Sequence, residues 1–549
     1  MDTSNNNRLN ILDLPNEILL NIISKLSFID VFYSLVDINE RFYQLSVDPL
    51  YIRHLDMAVM TMKSLFEYTS SVDDQVLSKI CENILPFIHS QVYKLTLEQH
   101  SIERILLNGS YPKLYSVSLV NFQKEKLFHY LTDNSILRHL LSQQITYLNI
   151  DIEKKHIDMK NEDLGGIYSY TSRRCEISRI FILILSLCKR LISLNFCQLF
   201  FKRNASICIH QIPQTRCMSE SLTKLKVNVK DFDDCLYLLD SNLKCLSKLI
   251  INVEYIGPKG NFTLATKKLP KLKYFSLCSI YKTFNNDERI ISLLHRMINL
   301  EELILFLSVV RFNSNVIDGI QLHDEILVHM PRLNKFTFSI NAEFRIENDI
   351  KTDIRTKEDI QHSFIGKEFG QVQVGSYVYY KRLCSIIEYH IYTLPYQFEN
   401  FLYLNNSFQG GMFHNVRRLT MKDNRHYFEH QLLKVISEDF PFLKELIIKN
   451  VLPQQKKQHS SSLITFRHLI LLNLAQAHVD YAEEFLVDKN IHLPCLLNLR
   501  IKFESLEMVT KNFTNDATHL TCAKLKKLHI DDRSNEIIRT KETYALSYT

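Results

Sequence analysis

Leu14-Pro15-Asn16-Glu17-Ile18-Leu19-Leu20-Asn21-Ile22-Ile23-Ser24-Lys25-Leu26 begins the segment on which the reading of this chain turns. It continues through Ser27-Phe28-Ile29-Asp30-Val31-Phe32-Tyr33-Ser34-Leu35-Val36 and Asn39-Glu40-Arg41-Phe42-Tyr43-Gln44-Leu45 to Asp48-Pro49-Leu50. Pro15 suits the first turn of a helix, where its missing N–H costs nothing and its φ is already helical. Ile18, Ile22 and Leu26 then recur at four-residue spacing, with Leu19 and Ile23 widening the apolar stripe. Asp30 can cap a second short helix carrying Phe32, Leu35 and Val36. A third would hold Phe42 and Leu45 and stop before Pro49. Three helices this short have little core of their own, and their stripes exceed what they can bury mutually. The module needs a partner.

The order and spacing of these features resemble an F-box. Such domains open with Leu-Pro-x-Glu, here Leu14 to Glu17, and carry aliphatic residues at helical spacing, here Ile18, Ile22 and Leu26. An Arg-aromatic-Tyr-x-Leu segment follows, here Arg41 to Leu45, with an Asp-x-x-Leu-Trp close, here Asp48-Pro49-Leu50-Tyr51. Tyr51 stands where many members have Trp, and the chain contains no Trp. The resemblance implies docking on a Skp1-like adaptor through Leu14, Pro15, Ile18, Ile22, Leu35 and Phe42, within a domain spanning about residues 8–56. Residues 57–91 read as a helical linker or cap, with Val59, Met62, Leu65 and Phe66 on one face and Val76, Ile80 and Ile84 on a later one. Pro86 interrupts that pattern.

From Val92 onward the chain repeats a Leu-x-x-Leu-x-Leu unit, often preceded by Pro-x, as in Pro112 to Leu119, Pro270 to Leu277, Pro441 to Ile448 and Pro494 to Ile501. The central apolar residue falls at Leu95, Val117, Leu148, Leu194, Leu225, Leu249, Phe275, Leu303, Phe336, Leu419, Leu446, Leu469, Leu499 and Leu528. Alternation within each unit predicts a strand, and stripes such as Leu432, Leu433 and Ile436 between units predict helices. The expected fold is α/β: a three-helix F-box, then a curved solenoid with a parallel β-sheet and outer helices, resembling the irregular leucine-rich repeats of F-box proteins. The repeats would run over 92–340 and 414–549. Between them, 341–413 has the look of an inserted β-hairpin or degenerate repeats. It opens with a charged run expected to be exposed (Arg345, Glu347, Asp349, Lys351, Asp353, Arg355). Val372, Val374, Val378 and Tyr380 then alternate with polar residues, as do Ile387, Tyr389 and Ile391. Glu153 to Gly166 is expected to loop out.

Composition narrows the function classes. A net charge of +6 on 66 basic and 60 acidic residues, spread along the length, signals neither nucleic acid nor an anionic membrane. Ile180 to Cys188 is too short to span a bilayer, and the first ten residues hold no apolar signal core. Twelve dispersed cysteines with no C-x-x-C pair fit reduced thiols in the cytoplasm or nucleus. No phosphate loop, nucleophile elbow or zinc-protease motif is present, so no catalytic residue, cofactor or enzyme activity is expected. Cys188, Cys197, Cys208, His210 and Cys217 lack the close pairs of a metal loop, and no metal is expected.

The resemblance implies the substrate-recognition adaptor of an SCF-type (Skp1–cullin–F-box) ubiquitin ligase, reaching a cullin–RING ligase through Skp1. The alternatives are a non-catalytic F-box scaffold without a ubiquitin ligase role, and a nucleic-acid binder. The last needs basic residues interleaved with exposed aromatics, and few aromatics occupy outward strand positions. At the outward positions of the repeats Lys and Arg outnumber Asp and Glu, eleven against five. Arg418, Lys422, Lys449, Arg500, Lys502 and Lys527 are therefore expected to form a positive face for an acidic or phosphorylated protein substrate.

Overall fold

The computed structural model describes residues 11–540 except 27, 36–37, 49–52, 58–71, 153–166, 198–204, 211, 213–217, 258–267, 285–286, 313–315, 348–354, 381–383, 455–462, 488–490, 512–522 and 532–535. The chain forms two compact units, Met1–Ser279 with Ser292–Glu302 and Ile280–Ile291 with Leu303–Thr549. The fold is mixed α/β, with a helical N-terminal domain followed by large sheets.

In the first unit the strands His54–Asp56, Lys94–Glu98, Ser116–Phe122, Tyr147–Ile152, Ser193–Phe196, Lys224–Asp231, Lys248–Tyr255 and the start of Tyr274–Phe284 lie side by side in chain order. All of these pairings are parallel. Their register explains the repeat spacing. Leu55, Leu95, Val117, Leu148, Leu194, Leu225, Leu249 and Phe275 stand opposite one another, strand after strand. Each is buried, and fully burying such a side chain contributes roughly 1.5–3 kcal/mol. A one-residue slip would turn the whole row to solvent, which is why the apolar triplet fixes register. Helices fill the intervals, among them Ile102–Leu107, Lys124–Thr132, Ile136–Gln143, Ile167–Leu187 and Phe232–Asp240. Ile180 to Leu187 thus ends a helix, and among the described residues no helix is long and apolar enough to cross a membrane.

Two sequence expectations need revision in this unit. The strand at Leu55 was not expected, because His54–Asp56 is only three residues long and lacks a Leu-x-x-Leu-x-Leu context. Pro86 does not break its helix. Asp74–Lys79 runs into a π turn at Ile80–Ile84 and onward through Leu85–Ile88. The wider turn removes the i−4 hydrogen bond that a proline cannot make. Val59, Met62, Leu65 and Phe66, like Glu153 to Gly166, lie outside the described residues.

In the second unit Lys335–Glu347, Cys384–Leu394 and Gln371–Tyr380 pair antiparallel, in that spatial order. The expected hairpin is the pair 371–380 and 384–394. Gln361 hydrogen-bonds the edge of Gln371–Tyr380, accepting from Val374 N–H at 3.0 Å and donating to the Val372 carbonyl. A side chain thereby occupies part of an edge open to further strands.

A second sheet runs Asn400–Leu404, Arg418–Lys422, Glu445–Asn450, Leu471–Ala477, Asn498–Lys502 and Lys527–Asp531 in parallel, closed by the antiparallel Glu536–Thr540. Its buried row is Phe401, Leu419, Leu446, Leu472, Leu499 and Leu528. Phe401 was not expected: its strand falls inside 341–413, so that span is no pure insertion. Leu472, not Leu469, holds the central position of its repeat. Leu-Leu-Asn-Leu continues the apolar run from Leu469, so the central position can be placed three residues early. The charged run is also corrected in part. Arg345 is half-buried, its guanidinium 2.6 Å from Glu343 and within 6 Å of the Phe284 and Phe312 rings. Asp349, Lys351 and Asp353 lie outside the described residues.

Candidate functional site

The N-terminal bundle consists of α1 (Asn16–Ile23), α2 (Phe28–Ser34) and α3 (Glu40–Ser46). Leu19, Ile23, Val31, Phe42 and Leu45 form its core, with Leu14, Leu20 and Leu35 packed partly against it. Pro15 is the N-cap of α1 rather than part of its first turn, and its carbonyl accepts from the Ile18 and Leu19 N–H groups at 3.1 Å. Asn39 caps α3 by accepting from Phe42 N–H. Asp30 sits in the first turn of α2 instead of capping it, where its charge still favours the helix N-terminus.

Arg41 organises the opening segment. Its Nη2 donates to the Leu14 carbonyl at 2.7 Å and to Asn16 Oδ1 at 2.8 Å, while Nε donates to the same Oδ1 at 2.9 Å. Nη1 donates to the Leu12 carbonyl. One guanidinium therefore holds the turn Ile11–Asp13 and the Leu-Pro-Asn motif against α3. Sequence reading places Arg41 in its motif but not in this role, because its partners are two main-chain carbonyls some 27 residues away.

The bundle's surplus apolar surface divides in two. Phe28, Ile29 and Phe32 are buried, on a helix that packs beside strand His54–Asp56. Ile18, Ile22 and Leu26 stay exposed at 46%, 41% and 44%. With Asn21 and Lys25 they line a shallow groove. Ile11, Leu12 and Ile38 are exposed as well. Ile18 and Ile22 on α1, whose other face is already packed, and Leu26 just beyond its end make an interaction surface rather than unfinished core.

A family model matches this stretch. Residues 11–49 are an F-box domain. No curated protein matches the chain. Of the F-box residues expected to dock, Pro15, Ile18 and Ile22 are exposed, and Leu14 and Leu35 are half-buried at the edge of the core. Phe42 is a correction. It lies inside the F-box core at 6% exposure, because the aromatic position of α3 faces α1.

The cations expected on the outward face of the second sheet differ in their pairing. Arg418 Nε lies 2.7 Å from Glu445 Oε2 on the neighbouring strand. Arg500 grips Asp531 with two nitrogens, Nε at 3.0 and 3.1 Å and Nη2 at 2.9 Å. Lys422 Nζ reaches Glu388 at 3.1 Å. Lys527 has interactions of its own. Lys449 and Lys502 are half-buried, and among the described residues neither is in an ion pair. Arg418, Lys422 and Arg500 are thus paired with acids that lie far from them along the chain.

Cys208, His210 and Asp234 come together, Asp234 being a member that spacing did not reveal. His210 Nδ1 lies 2.9 Å from Asp234 Oδ1 and 3.9 Å from Cys208 Sγ. That same Oδ1 accepts from the Ile209 and His210 N–H groups at 2.6 and 2.8 Å. Burial raises the Asp234 carboxyl to about 6, with Asp231 adding to it and the hydrogen bonds opposing it. The carboxylate fastens the loop at 209–210 to the first turn of the helix Phe232–Asp240, where it completes the capping box with the N-cap Asp231. Cys188 and Cys197 are buried, and burial raises the Cys188 thiol to about 12, which makes it a poor ligand and nucleophile. Cys217 lies outside the described residues.

Proposed function

We propose that this chain is the substrate-recognition adaptor of an SCF-type ubiquitin ligase. The F-box docks on a Skp1-type adaptor through Ile18, Ile22 and Leu26, with Leu14 and Pro15 beside them. The in-register strand–helix units form a leucine-rich-repeat solenoid that selects the target protein. Catalysis belongs to other subunits, and this chain supplies geometry, in the cytoplasm or nucleus. The observation that carries the reading is the exposed apolar row on α1 of a domain already matched as an F-box.

Covering the exposed part of three such side chains contributes roughly 1 kcal/mol each, and introducing charge there costs more. Ile18→Glu with Ile22→Glu should therefore abolish co-purification of Skp1. Secondary structure should not change, since neither residue is in the core. Targets of the wild-type chain should accumulate in affinity captures when the proteasome is inhibited, and should not when the double variant is used. Undiminished Skp1 capture by that variant would overturn the docking assignment. Capture of Skp1 with no proteasome-sensitive target would leave a scaffold.

A further inference from the structure

The second unit contains a cleft whose polar floor has no evident structural use. Glu343 and Glu388 face each other across the antiparallel pair of strands, an arrangement that is unfavourable for like charges. Lys282 resolves it, hydrogen-bonding Glu343 and lying 3.7 Å from Glu388. Lys422 and Arg345 hold the outer sides, at 3.1 Å from Glu388 and 2.6 Å from Glu343. Lys449 stands beside Lys422 in the adjacent strand. Lys282 and Lys357 line the cleft with the two carboxylates, Lys422 and Arg345 contact those carboxylates from beside it, and Lys449 adjoins Lys422. Lys449 has no carboxylate in contact among the described residues, and burial followed by the Lys422 and Lys282 charges holds its amine below the usual lysine value. Tyr403, at a bulge in its strand with φ of 58°, places its ring 5.4 Å from Lys282 Nζ and 5.3 Å from Lys422 Nζ.

Two further features open the cleft instead of filling it. Asn341, opposite His390, lines the cleft at 7% exposure, and its buried Nδ2 has no hydrogen-bond partner among the described residues. Gly375 is the neighbour of His390 on the other side. A Cβ at Gly375 would meet nothing nearer than 3.9 Å, so its absence is not forced by packing. It leaves room above His390 and Asn341.

We infer that this cleft, with the lysines beside it, receives an extended segment of a partner protein, an anionic side chain of that segment meeting Lys449, Lys422 and Lys282. Charge complementarity selects the occupant: the cations exceed the carboxylates, and the one without a carboxylate stands among other lysines. The inference rests on the substrate-adaptor reading and names the chemistry of the substrate. A carboxylate and a phosphorylated side chain share that chemistry.

The test uses the full-length chain and immobilised nonapeptide libraries with a fixed central residue: Glu, Asp, phosphoserine, Ala or Lys. Wild-type protein should be retained at least tenfold more by the anionic libraries than by the Ala and Lys ones. Lys449→Glu and Gly375→Val should each remove that preference. Gly375→Val narrows the cleft, its Cβ meeting nothing nearer than 3.9 Å, and places a strand-favouring residue, so its thermal transition should stay close to wild type. A greater preference for phosphoserine than for Glu would assign a modified substrate, and equal preference an acidic one. Absence of any anionic preference, or its survival in both variants, would overturn the inference. Skp1 binding measured on the same samples separates the two readings. Its loss with peptide binding intact strikes the adaptor, and the converse strikes only the cleft.

Discussion

Removing the Arg41 side chain tests whether the F-box surface is assembled before it meets a partner. The guanidinium makes four contacts with the opening segment, to the Leu12 and Leu14 carbonyls and twice to Asn16 Oδ1. Hydrogen bonds from a charged donor contribute about 1.5–3 kcal/mol each when buried. These are mostly exposed, and the two to Asn16 share an acceptor, so a total of about 2 kcal/mol is the reasonable sum. Little of that holds the helices together, because Leu19, Ile23, Val31, Phe42 and Leu45 pack without it. It holds residues 11–14 to α3. Arg41→Ala should therefore leave the helical signal of the bundle close to wild type and accelerate amide exchange at the opening turn. Skp1 affinity should fall about 30-fold, since the partner must then order that segment. Arg41→Lys keeps the charge but loses the planar fork, and should fall between the two. Calorimetric titration of the full-length chain with Skp1 checks both variants. Wild-type affinity in Arg41→Ala together with faster exchange would refute the reasoning, because the segment would then be free and irrelevant to docking.

The remaining predictions concern the second unit. Arg418→Ala leaves Glu445 almost buried without its cation and should lower stability by about 1–2 kcal/mol. The double variant with Glu445→Gln should recover part of this in a calorimetric scan, and identical losses in single and double variants would show that the pair does not matter. Burial holds the His390 imidazole down at about 3, while Ser339 Oγ lies 2.9 Å from its Nε2. The unfolded chain takes up that proton first, so stability is lost as pH falls from about 6.5 towards 3. The loss should reach about 2 kcal/mol by pH 5, at 1.36 kcal/mol for each pKa unit. His390→Gln should flatten this dependence in urea titrations, and an unaltered slope would assign the acid sensitivity to other groups.

How much of this was legible beforehand depended on whether a residue's role is set by its neighbours in the chain. The apolar triplets are local signals, and the register of Leu95 through Phe275 follows from them because one face of a strand must be buried. Leu55 and Phe401 escaped for the opposite reason. Their strands are short, and the sheet supplies what the sequence around them does not. Pro86 misled because a π turn can absorb a proline, and no pattern announces that turn. On the F-box, spacing placed Ile18 and Ile22 on one helical face but could not say whether that face was inward. Phe42 shows the difficulty, since an aromatic residue in a docking motif is equally suited to the core behind it.

Charge was the least legible property, and the second sheet shows why. In a parallel sheet the residue beside Arg418 is Glu445, 27 positions on, and Arg500 finds Asp531 at a separation of 31. Outward residues of successive repeats become direct neighbours, so individual cations are paired wherever a nearby repeat carries the opposite sign, although the surplus itself is unchanged. Lys422 and Lys449 share a register position too, but there both repeats carry lysine. Lys422 turns to Glu388, an acid from the antiparallel strands, and Lys449 is left with like charge beside it. A lysine without an acid, set beside other lysines, concentrates the potential that the average dilutes. Alanine at Lys449 should accordingly lower affinity for an anionic segment more than alanine at Arg418 or Arg500, although all three contribute equally to net charge. Retention on the phosphoserine and Glu libraries measures this directly, and equal losses at the three positions would return the explanation to net charge.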